Sequence, residues 1–234
     1  MRGGAIAYDT YPPLLSGNYF EGNQAPYGDD IASYPKSLKL WTGNAWADQL
    51  TIPLVASGQV YAGTLQFGIF DVEGKVIRTE DQATVVVKSN TGGFTPGGVT
   101  LKQFTNGRAL IDGIIFSGDP GVVFNFTAVS SALPTSILES IFGIEDPYFT
   151  LTAEFRECVS GEIEQNNLCQ VCPPERYALG VDQTICLDCM PEATCFGGKN
   201  ISLDYGYWRP ELDSDTIYEC FEKEACNGGF APEN

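Results

Sequence analysis

Two Cys-x-x-Cys pairs are the residues whose spacing most directly suggests chemistry. Cys169 and Cys172 form the first pair, and Cys186 and Cys189 form the second. Two such pairs are typical of a four-cysteine zinc site. The same spacing also occurs where disulfides join neighbouring loops. No strand–helix–strand pattern surrounds either pair, which argues against a thioredoxin-like redox role.

The full set of cysteines favours disulfides over a metal. Residues 1–157 contain no cysteine, and all eight lie in the remainder of the chain. An even, clustered set in a turn-rich stretch with few aliphatic residues is typical of a disulfide framework in an oxidising compartment. We therefore predict disulfide bonds for Cys158, Cys169, Cys172, Cys186, Cys189, Cys195, Cys220 and Cys226. Short loops close most readily, so Cys158–Cys169 and Cys172–Cys186 are the expected pairs, while the pairing of the last four is open.

The absence of histidine removes several kinds of chemistry at once. Without imidazole the chain has no Ser–His–Asp or Cys–His nucleophile and no histidine metal ligand. Acidic pairs such as Asp29-Asp30 and Asp213-x-Asp215 do not lie in a calcium-loop motif. We predict no catalytic, cofactor-binding or metal-binding residue, no cofactor and no enzymatic activity.

Two Asn-x-Ser/Thr sequons predict N-linked glycosylation in an exported protein. One begins at Asn125, within a predicted strand, and the other at Asn200, within the cysteine-rich stretch. A motif this short also arises by chance, so the sequence identifies both as candidate acceptors only.

Charge and composition restrict the partners. The 13 Lys and Arg residues against 30 Asp and Glu residues give a net charge of −17. This excess disfavours nucleic acid and anionic lipid surfaces. A hydrophobic content of 43% is sufficient for folded cores, and no apolar run is long enough to span a bilayer. The expected partners are other copies of this chain or other surface proteins, with glycans as a further possibility.

The elements that must hold these residues are mostly strands. Between residues 39 and 157, apolar or β-branched runs such as Leu65–Phe70 and Thr84–Val87 recur at short intervals, with a turn signal at Glu73-Gly74. Seven or eight such strands predict an Ig-like β-sandwich. The further predictions are strands at Thr51–Val55, Val99–Phe104, Ala109–Phe116, Val122–Ala128 and Phe149–Phe155, and one helical turn or a sheet-edge cover within Ser130–Ile144.

Residues 1–38 are rich in Gly, Asn, Tyr and Pro. Within them, Gly3-Gly4-Ala5-Ile6 and Phe20-Glu21-Gly22-Asn23 resemble the repeat of polymorphic-outer-membrane-type, right-handed parallel β-helix proteins. The run from Asn23 to Pro35 resembles the end of such a β-helix in large surface proteins of ciliates, oomycetes and algae. The resemblance implies terminal β-helix rungs or an extended strand segment. An irregular Gly- and Asn-rich loop is the alternative, because both residues tolerate tight corners.

The cysteine-rich stretch carries a second resemblance. From Phe155-Arg156-Glu157-Cys158 through the two Cys-x-x-Cys pairs it looks like a growth-factor-receptor-like or ephrin-receptor-like module. Gly206-Tyr207-Trp208-Arg209 and Ala225-Cys226-Asn227-Gly228-Gly229 match the element that follows this module in the same protist surface proteins. Those proteins continue into transmembrane helices. The resemblance therefore implies an extracellular or cell-surface location, with membrane attachment only through regions outside this chain.

Together these observations predict an all-β chain in three parts. The parts are the end of a right-handed parallel β-helix over 1–38, an Ig-like β-sandwich over 39–157 and a disulfide-rich small module over 158–234. The predicted function is that of a non-catalytic structural or adhesion segment within a large surface protein that is longer than this chain. Three alternatives are open: a subunit of an extracellular filament assembled by strand addition, a receptor ectodomain fragment, and a fragment of a β-helix enzyme acting on polysaccharides.

Overall fold

The computed structural model describes residues 4–9, 11–90, 94–181 and 183–230. It contains 39% strand and 5% helix, which confirms the prediction of a mostly β chain with a disulfide-rich region. The chain divides into two compact units. Unit 1 comprises Met1–Val55, Val60–Phe116 and Val123–Glu154, and unit 2 comprises Ala56–Gln59, Ser117–Val122 and Phe155–Asn234. None of the helices within the described ranges has the length and apolar character needed to cross a membrane.

Unit 1 is built from short and medium strands with a single helix among its described residues. In chain order these elements are β1 (Ile6–Ala7), β2 (Ile31–Ala32), β3 (Pro35–Trp41), β4 (Trp46–Ala47), β5 (Gln49–Val55), β6 (Leu65–Asp71), β7 (Thr84–Ser89), β8 (Gly97–Gly98), β9 (Leu101–Gln103), β10 (Arg108–Ile111), β11 (Ile114–Ile115), β12 (Val123–Ser130), α1 (Thr135–Phe142) and β13 (Tyr148–Phe155).

Two sheets enclose the core of unit 1. One has the strand order β10-β6-β3-β4 and the other β5-β13-β12-β7-β9, while β8 and β11 form a separate antiparallel pair. Alternate residues of β7 and β13 are buried, because successive side chains of a strand point to opposite faces. The rings of Phe67 from β6 and Phe149 from β13 meet edge to face at 5.7 Å between centroids, and both side chains are fully buried. This contact joins the inner faces of the two sheets.

Several predicted strands differ from those in the structure. The run Ala109–Phe116 contains two strands, β10 and β11, in place of one. Gly113 separates them with φ +81°, a left-handed conformation that interrupts a strand and that glycine adopts readily. The β11 strand then pairs with β8 and leaves the four-stranded sheet. In the predicted helical stretch, α1 has eight residues, so it is about two turns long instead of one.

The amino-terminal part of unit 1 contains a parallel strand pair. Ile6 and Ala7 of β1 lie opposite Ile31 and Ala32 of β2 in parallel register. Backbone N–H groups of Gly4, Ile6 and Tyr8 donate to Gly28, Asp30 and Ala32 carbonyls, at 3.1, 2.9 and 3.1 Å respectively. The following strand, β3, belongs to the four-stranded sheet and runs through residue 38. Residues before and after the predicted boundary therefore share unit 1.

Unit 2 consists of four short antiparallel strand pairs and a 3-10 turn. Its elements are β14 (Glu162–Gln165), β15 (Leu168–Val171), β16 (Arg176–Tyr177), β17 (Leu187–Asp188), β18 (Ala193–Cys195), β19 (Ile201–Leu203), β20 (Tyr207–Trp208), β21 (Tyr218–Glu219) and the 3-10 helix Lys223–Ala225. Each strand pairs with the next one along the chain. Isolated two-stranded pairs of this size are marginal in water, so they need another source of stability.

Disulfides supply that stability. The bridges are Cys158–Cys169, Cys172–Cys186, Cys189–Cys195 and Cys220–Cys226. The first two are the pairs expected from the spacing, and the structure resolves the pairing of the last four. Each bridge joins a cysteine to its next neighbour in sequence. The four cysteines of the two Cys-x-x-Cys pairs consequently belong to three different bridges, and they do not face one another as a zinc set.

Candidate functional site

A cleft in unit 2 combines an apolar lining with charged side chains. It has a volume of about 690 Å³, and most of its lining surface is apolar. The apolar surface comes from Leu179, Ile201, Leu212 and Phe230. Leu212 and Phe230 are 56% and 54% exposed, so the cleft presents large apolar side chains to its surroundings.

Strand pairing and backbone hydrogen bonds hold this lining in place. Ile201 and Leu203 of β19 are buried in a cluster with Tyr177 and Leu179. Leu203 and Gly229 exchange two backbone hydrogen bonds, each of 2.9 Å. This exchange fixes the chain just before Phe230, so segments far apart in sequence meet at one cleft.

A disulfide loop holds the segment that carries the buried basic side chain of the cleft, Arg209. Gly206 donates its N–H to the Cys226 carbonyl and accepts from the Cys220 N–H, both at 2.9 Å. Its φ of +89° suits glycine at the turn that precedes β20. Arg209 follows β20 directly. The Cys220–Cys226 loop therefore anchors the chain three residues before Arg209.

Arg209 is the unusual side chain of this cleft, since it is charged and only 2% exposed. Its Nη2 donates to the backbone carbonyls of Ile201 at 3.3 Å and Phe230 at 3.4 Å. Its Nε and Nη1 have no hydrogen-bond partner among the described residues. Burial lowers the pKa of the guanidinium, and the negative charge of Asp213 acts in the opposite direction. No ion pair to Arg209 forms within the described ranges.

The remaining charged and polar lining lies at the exposed rim. Lys199, Asn200 and Asp213 are all exposed. Together with Arg209, the lining carries two positive charges and one negative charge in a chain of net charge −17. The cleft is thus a locally positive site on an acidic protein, and it can accept an anionic group.

A second cluster in unit 2 has the residue types of a metal site but is already satisfied. Glu162 lies with Cys158 and Cys169 so that one ligand atom from each falls within 4.8 Å of the others. Those two sulfurs form a disulfide, so neither is a thiolate that could bind a metal. The Glu162 carboxylate accepts two hydrogen bonds of 2.8 Å from Arg156, one of 2.8 Å from Gln59 and one of 3.1 Å from the Val159 N–H. Its role is therefore structural.

The hydrogen bonds from Arg156 set the ionisation of this carboxylate. They hold the pKa of Glu162 below its ordinary value, and the burial of the group acts in the opposite direction. Glu162 is 5% exposed, so its pair with Arg156 is shielded from most of the solvent. An unpaired carboxylate at this position would be strongly unfavourable.

Both predicted glycosylation acceptors lie on exposed surface. Asn125 is exposed on β12, where its Oδ1 accepts a hydrogen bond of 2.8 Å from the Thr152 hydroxyl. Asn200 is exposed on the turn between β18 and β19, and its N–H donates to the Gly197 carbonyl at 3.1 Å. Exposure is what a glycan acceptor requires, and glycosylation at each stays a prediction. Asn200 also lines the cleft, which the sequence did not indicate.

Sequence reasoning missed Arg209 as a site residue. It is the last residue of Gly206-Tyr207-Trp208-Arg209, whose resemblance to surface proteins indicates no site. One signal was present, because basic residues are scarce in the cysteine-rich stretch. Scarcity alone does not reveal burial, which arises here from contacts between segments distant in sequence.

Comparisons with known proteins add little. No protein-family model matches the chain, and a search of curated proteins finds no match either. Among solved structures the chain is similar to WR4, an MSP family member of C. elegans, with 12% identity over 45% of this chain and 91% of that chain and a TM-score of 0.27. A likeness at this TM-score supports no conclusion about fold or function.

Proposed function

We propose that this chain is a non-catalytic structural or adhesion segment of a large extracellular or cell-surface protein. The observation that carries the proposal is the set of four disulfides in unit 2, each between neighbouring cysteines. Multiple disulfides indicate an oxidising compartment such as the extracellular space. Local bridges keep small strand pairs folded where the chain is exposed to proteases and to force, which suits a structural segment.

Two finer features of unit 1 support the same proposal. We take its two sheets as an Ig-like β-sandwich, since they enclose one core around the contact of Phe67 with Phe149. We take the parallel pair β1–β2 as the last rung of a β-helix, because parallel pairing of segments about two dozen residues apart is what a rung requires. Both features are what the resemblance to protist surface proteins implies.

The location is tested on the source organism. Antibodies raised against unit 2 should label intact, unpermeabilised cells, and protein recovered from the surface should show no thiol that alkylates before reduction. Labelling only after permeabilisation, together with eight alkylated cysteines, would contradict the proposal. An unrelated cytosolic protein probed in the same cells controls for membrane integrity.

A second candidate function is a filament subunit assembled by strand addition. The observation that favours it is that β1 pairs with a single strand, β2, within the described ranges. A strand edge of this kind can accept a strand from another copy of the chain, and a head-to-tail contact would propagate. Light scattering of the purified chain tests it, since a filament subunit should grow in mass with concentration. A chain that stays monomeric at all concentrations would contradict the filament hypothesis and would not affect the proposal of a structural segment.

A further inference from the structure

The inference starts from an arginine whose hydrogen-bonding capacity is largely unused. A guanidinium has five N–H donors, and buried donors in native proteins are nearly always paired. In Arg209 the two carbonyl acceptors engage Nη2 alone, through long hydrogen bonds of 3.3 and 3.4 Å. Three N–H groups, one on Nε and two on Nη1, have no acceptor among the described residues. An acceptor from outside the described chain reaches them only when the guanidinium turns toward the cleft, because both nitrogens are buried.

The charge of Arg209 indicates what kind of acceptor fits. A buried positive charge is normally paired with a negative one, and no ion pair to Arg209 forms in the described part of the chain. Asp213 influences the guanidinium only through its longer-range charge. The site therefore favours an acceptor that carries its own negative charge.

The other charges of the cleft favour a ligand group with a single negative charge. Asp213 would repel a second negative charge, and so would the overall charge of −17. Lys199 at the rim adds one positive charge that favours approach of an anion. A carboxylate fits this pattern better than a doubly charged phosphate does.

The apolar lining indicates what the carboxylate is attached to. A volume of about 690 Å³ is within the range of pockets that hold small ligands or side chains. Phe230 and Leu212 expose large apolar surfaces at this cleft, and Phe230 packs against Phe196 at 5.5 Å between ring centroids. Aromatic and aliphatic anchors beside one buried arginine are typical of sites for a peptide side chain. The apolar character of most of the lining argues against a sugar, whose hydroxyl groups would need many polar partners.

We propose that this cleft binds a peptide segment of a partner protein that presents one carboxylate beside a large apolar side chain. Arg209 donates hydrogen bonds to the carboxylate, and Leu212 and Phe230 contact the apolar side chain. The choice of a protein as partner rests on the proposed adhesion role. The binding measurement does not depend on cellular location, so either proposal can fail while the other stands.

The binding test uses the full, disulfide-bonded chain and the dipeptide N-acetyl-Gly-Phe. Titration calorimetry should give a Kd of about 0.1–1 mM for the free acid, as expected for a ligand of this size. The dipeptide with a C-terminal amide should bind about 10-fold more weakly or worse, because it lacks the charge that Arg209 needs. Equal affinities for the acid and the amide, or no binding of the acid at millimolar concentration, would overturn the proposal.

Variants at the rim test the charge argument without replacing the buried arginine. Asp213→Asn should tighten binding of the acid about 2- to 5-fold, since it removes a like charge near the carboxylate. Asp215→Asn is the matched control, because Asp215 is exposed and is not part of the cleft lining, and it should leave the affinity unchanged. An equal gain in both variants would reduce the effect to overall charge and contradict the assignment.

Two further variants separate the remaining explanations. Arg209→Gln should weaken binding of the acid about 10-fold or more, and hydrogen exchange of β18 and β19 shows whether unit 2 is still folded in this variant. If unit 2 is unfolded in Arg209→Gln, the affinity of the Asp213→Asn variant decides whether the cleft binds the carboxylate. Glu233 follows Phe230 by three residues in the sequence, and Glu233→Gln should not change the affinity. A large gain in that variant would identify the chain's own carboxylate as the partner of Arg209 and overturn the assignment to another protein.

Discussion

Unit 1 and unit 2 differ first in what fills their interiors. In unit 1, fully buried aromatic residues such as Phe67, Phe126 and Phe149 occupy the space between two sheets. In unit 2, the core clusters are small and include half-cystines among their members, as Cys195 and Cys172 show. Unit 1 contains no cysteine, and unit 2 contains all eight.

This difference shows two sources of stability within one mostly β chain. Sheets with alternating burial gain free energy by removing apolar surface from water, and this source is available in any compartment. Strands of two to four residues bury too little for that, so unit 2 depends on covalent bridges that raise the free energy of the unfolded chain. The stability of unit 2 is therefore tied to an oxidising environment.

Reduction of the disulfides should show the difference in stability between the two units most clearly. Each bridge contributes about 2–4 kcal/mol by restricting the unfolded chain, so the loss of four should unfold unit 2 at room temperature. Unit 1 should keep its structure. Hydrogen exchange with and without a phosphine reductant measures this: amides of β14 to β21 should lose protection, whereas those of β6, β7, β12 and β13 should not. Equal loss in both units would show that they share one cooperative core.

Truncation of the buried Phe67 side chain tests whether apolar burial stabilises unit 1. Phe67→Ala should destabilise unit 1 by about 3–5 kcal/mol, since it removes a fully buried ring and its contact with Phe149. Denaturant unfolding followed by circular dichroism measures the change. Leu110→Ala in the same sheet is the matched control, because Leu110 is 49% exposed and its truncation should cost less than about 1 kcal/mol. Similar losses for both variants would mean that the inner face of this sheet is not the core.

The features of each unit that were predictable from sequence follow from local patterns. Apolar and β-branched runs predict most of β6, β7, β12 and β13, because the residue types that favour a strand are a local property of the sequence. Neighbouring cysteines in short loops gave the Cys158–Cys169 and Cys172–Cys186 pairs for the same reason. The break at Gly113 is signalled only in part, since an isolated glycine in a strand pattern suggests a bulge but does not show that the chain leaves the sheet there.

The cleft could not be predicted in this way. Its lining comes from Ser160, Leu179, Lys199 and the segments around Arg209 and Phe230, which lie up to 70 residues apart. Their meeting depends on which carbonyls and half-cystines pair, and no local pattern encodes that. Burial of Arg209 is a tertiary property of the folded unit, while the sequence shows only a basic residue before a proline.

The ion pair between Arg156 and Glu162 is a further difference between the units, because unit 2 buries a charged pair whereas unit 1 buries aromatic rings. Glu162→Gln should destabilise unit 2 by about 2–3 kcal/mol near neutral pH, since it leaves Arg156 without its buried partner. Hydrogen exchange of β14 and β15 measures the local effect. Glu164→Gln on the same strand is the matched control, because Glu164 is exposed, and it should have little effect.

The same pair predicts the direction of the pH dependence of unit 2. The pKa of Glu162 is lowered in the folded state, so its contribution is complete above the unfolded value of 4.5 and is lost as the pH falls through the folded value. The wild-type chain should therefore lose stability in unit 2 below pH 4.5, and the Glu162→Gln variant should show a flatter profile over that range. Parallel profiles would show that other groups control the acid response.

The smallest expected effect concerns the amino-terminal pair β1–β2, which tests how far unit 1 extends. A Cβ placed on Gly4 would meet the backbone oxygen of Asp29 at 1.8 Å, so Gly4→Ala should separate β1 from β2. Ile6 and Ala7 of β1 are only partly buried or exposed, whereas Ala32 of β2 is fully buried.

Two further contacts hold the segment that contains β2. The Tyr27 hydroxyl donates to Asp71, and the Ser33 hydroxyl accepts from the Val72 N–H at 3.0 Å. These links to β6 and the turn after it do not involve β1. The segment around β2 should therefore stay in place when β1 detaches.

We accordingly expect the Ile6 and Tyr8 amides to lose exchange protection in Gly4→Ala, while the two sheets lose less than about 1 kcal/mol of stability. Gly97→Ala is the matched control. At Gly97 the added Cβ meets its nearest neighbour, Ile115, at an ordinary 3.7 Å, and so it should leave both the pair and the sheets unchanged. A comparable loss of protection in β3 and β6 of the Gly4→Ala variant would show that β1 is integral to the sheet core. In that case β1 and the segment after it would fold together with the sheets and not as an added rung.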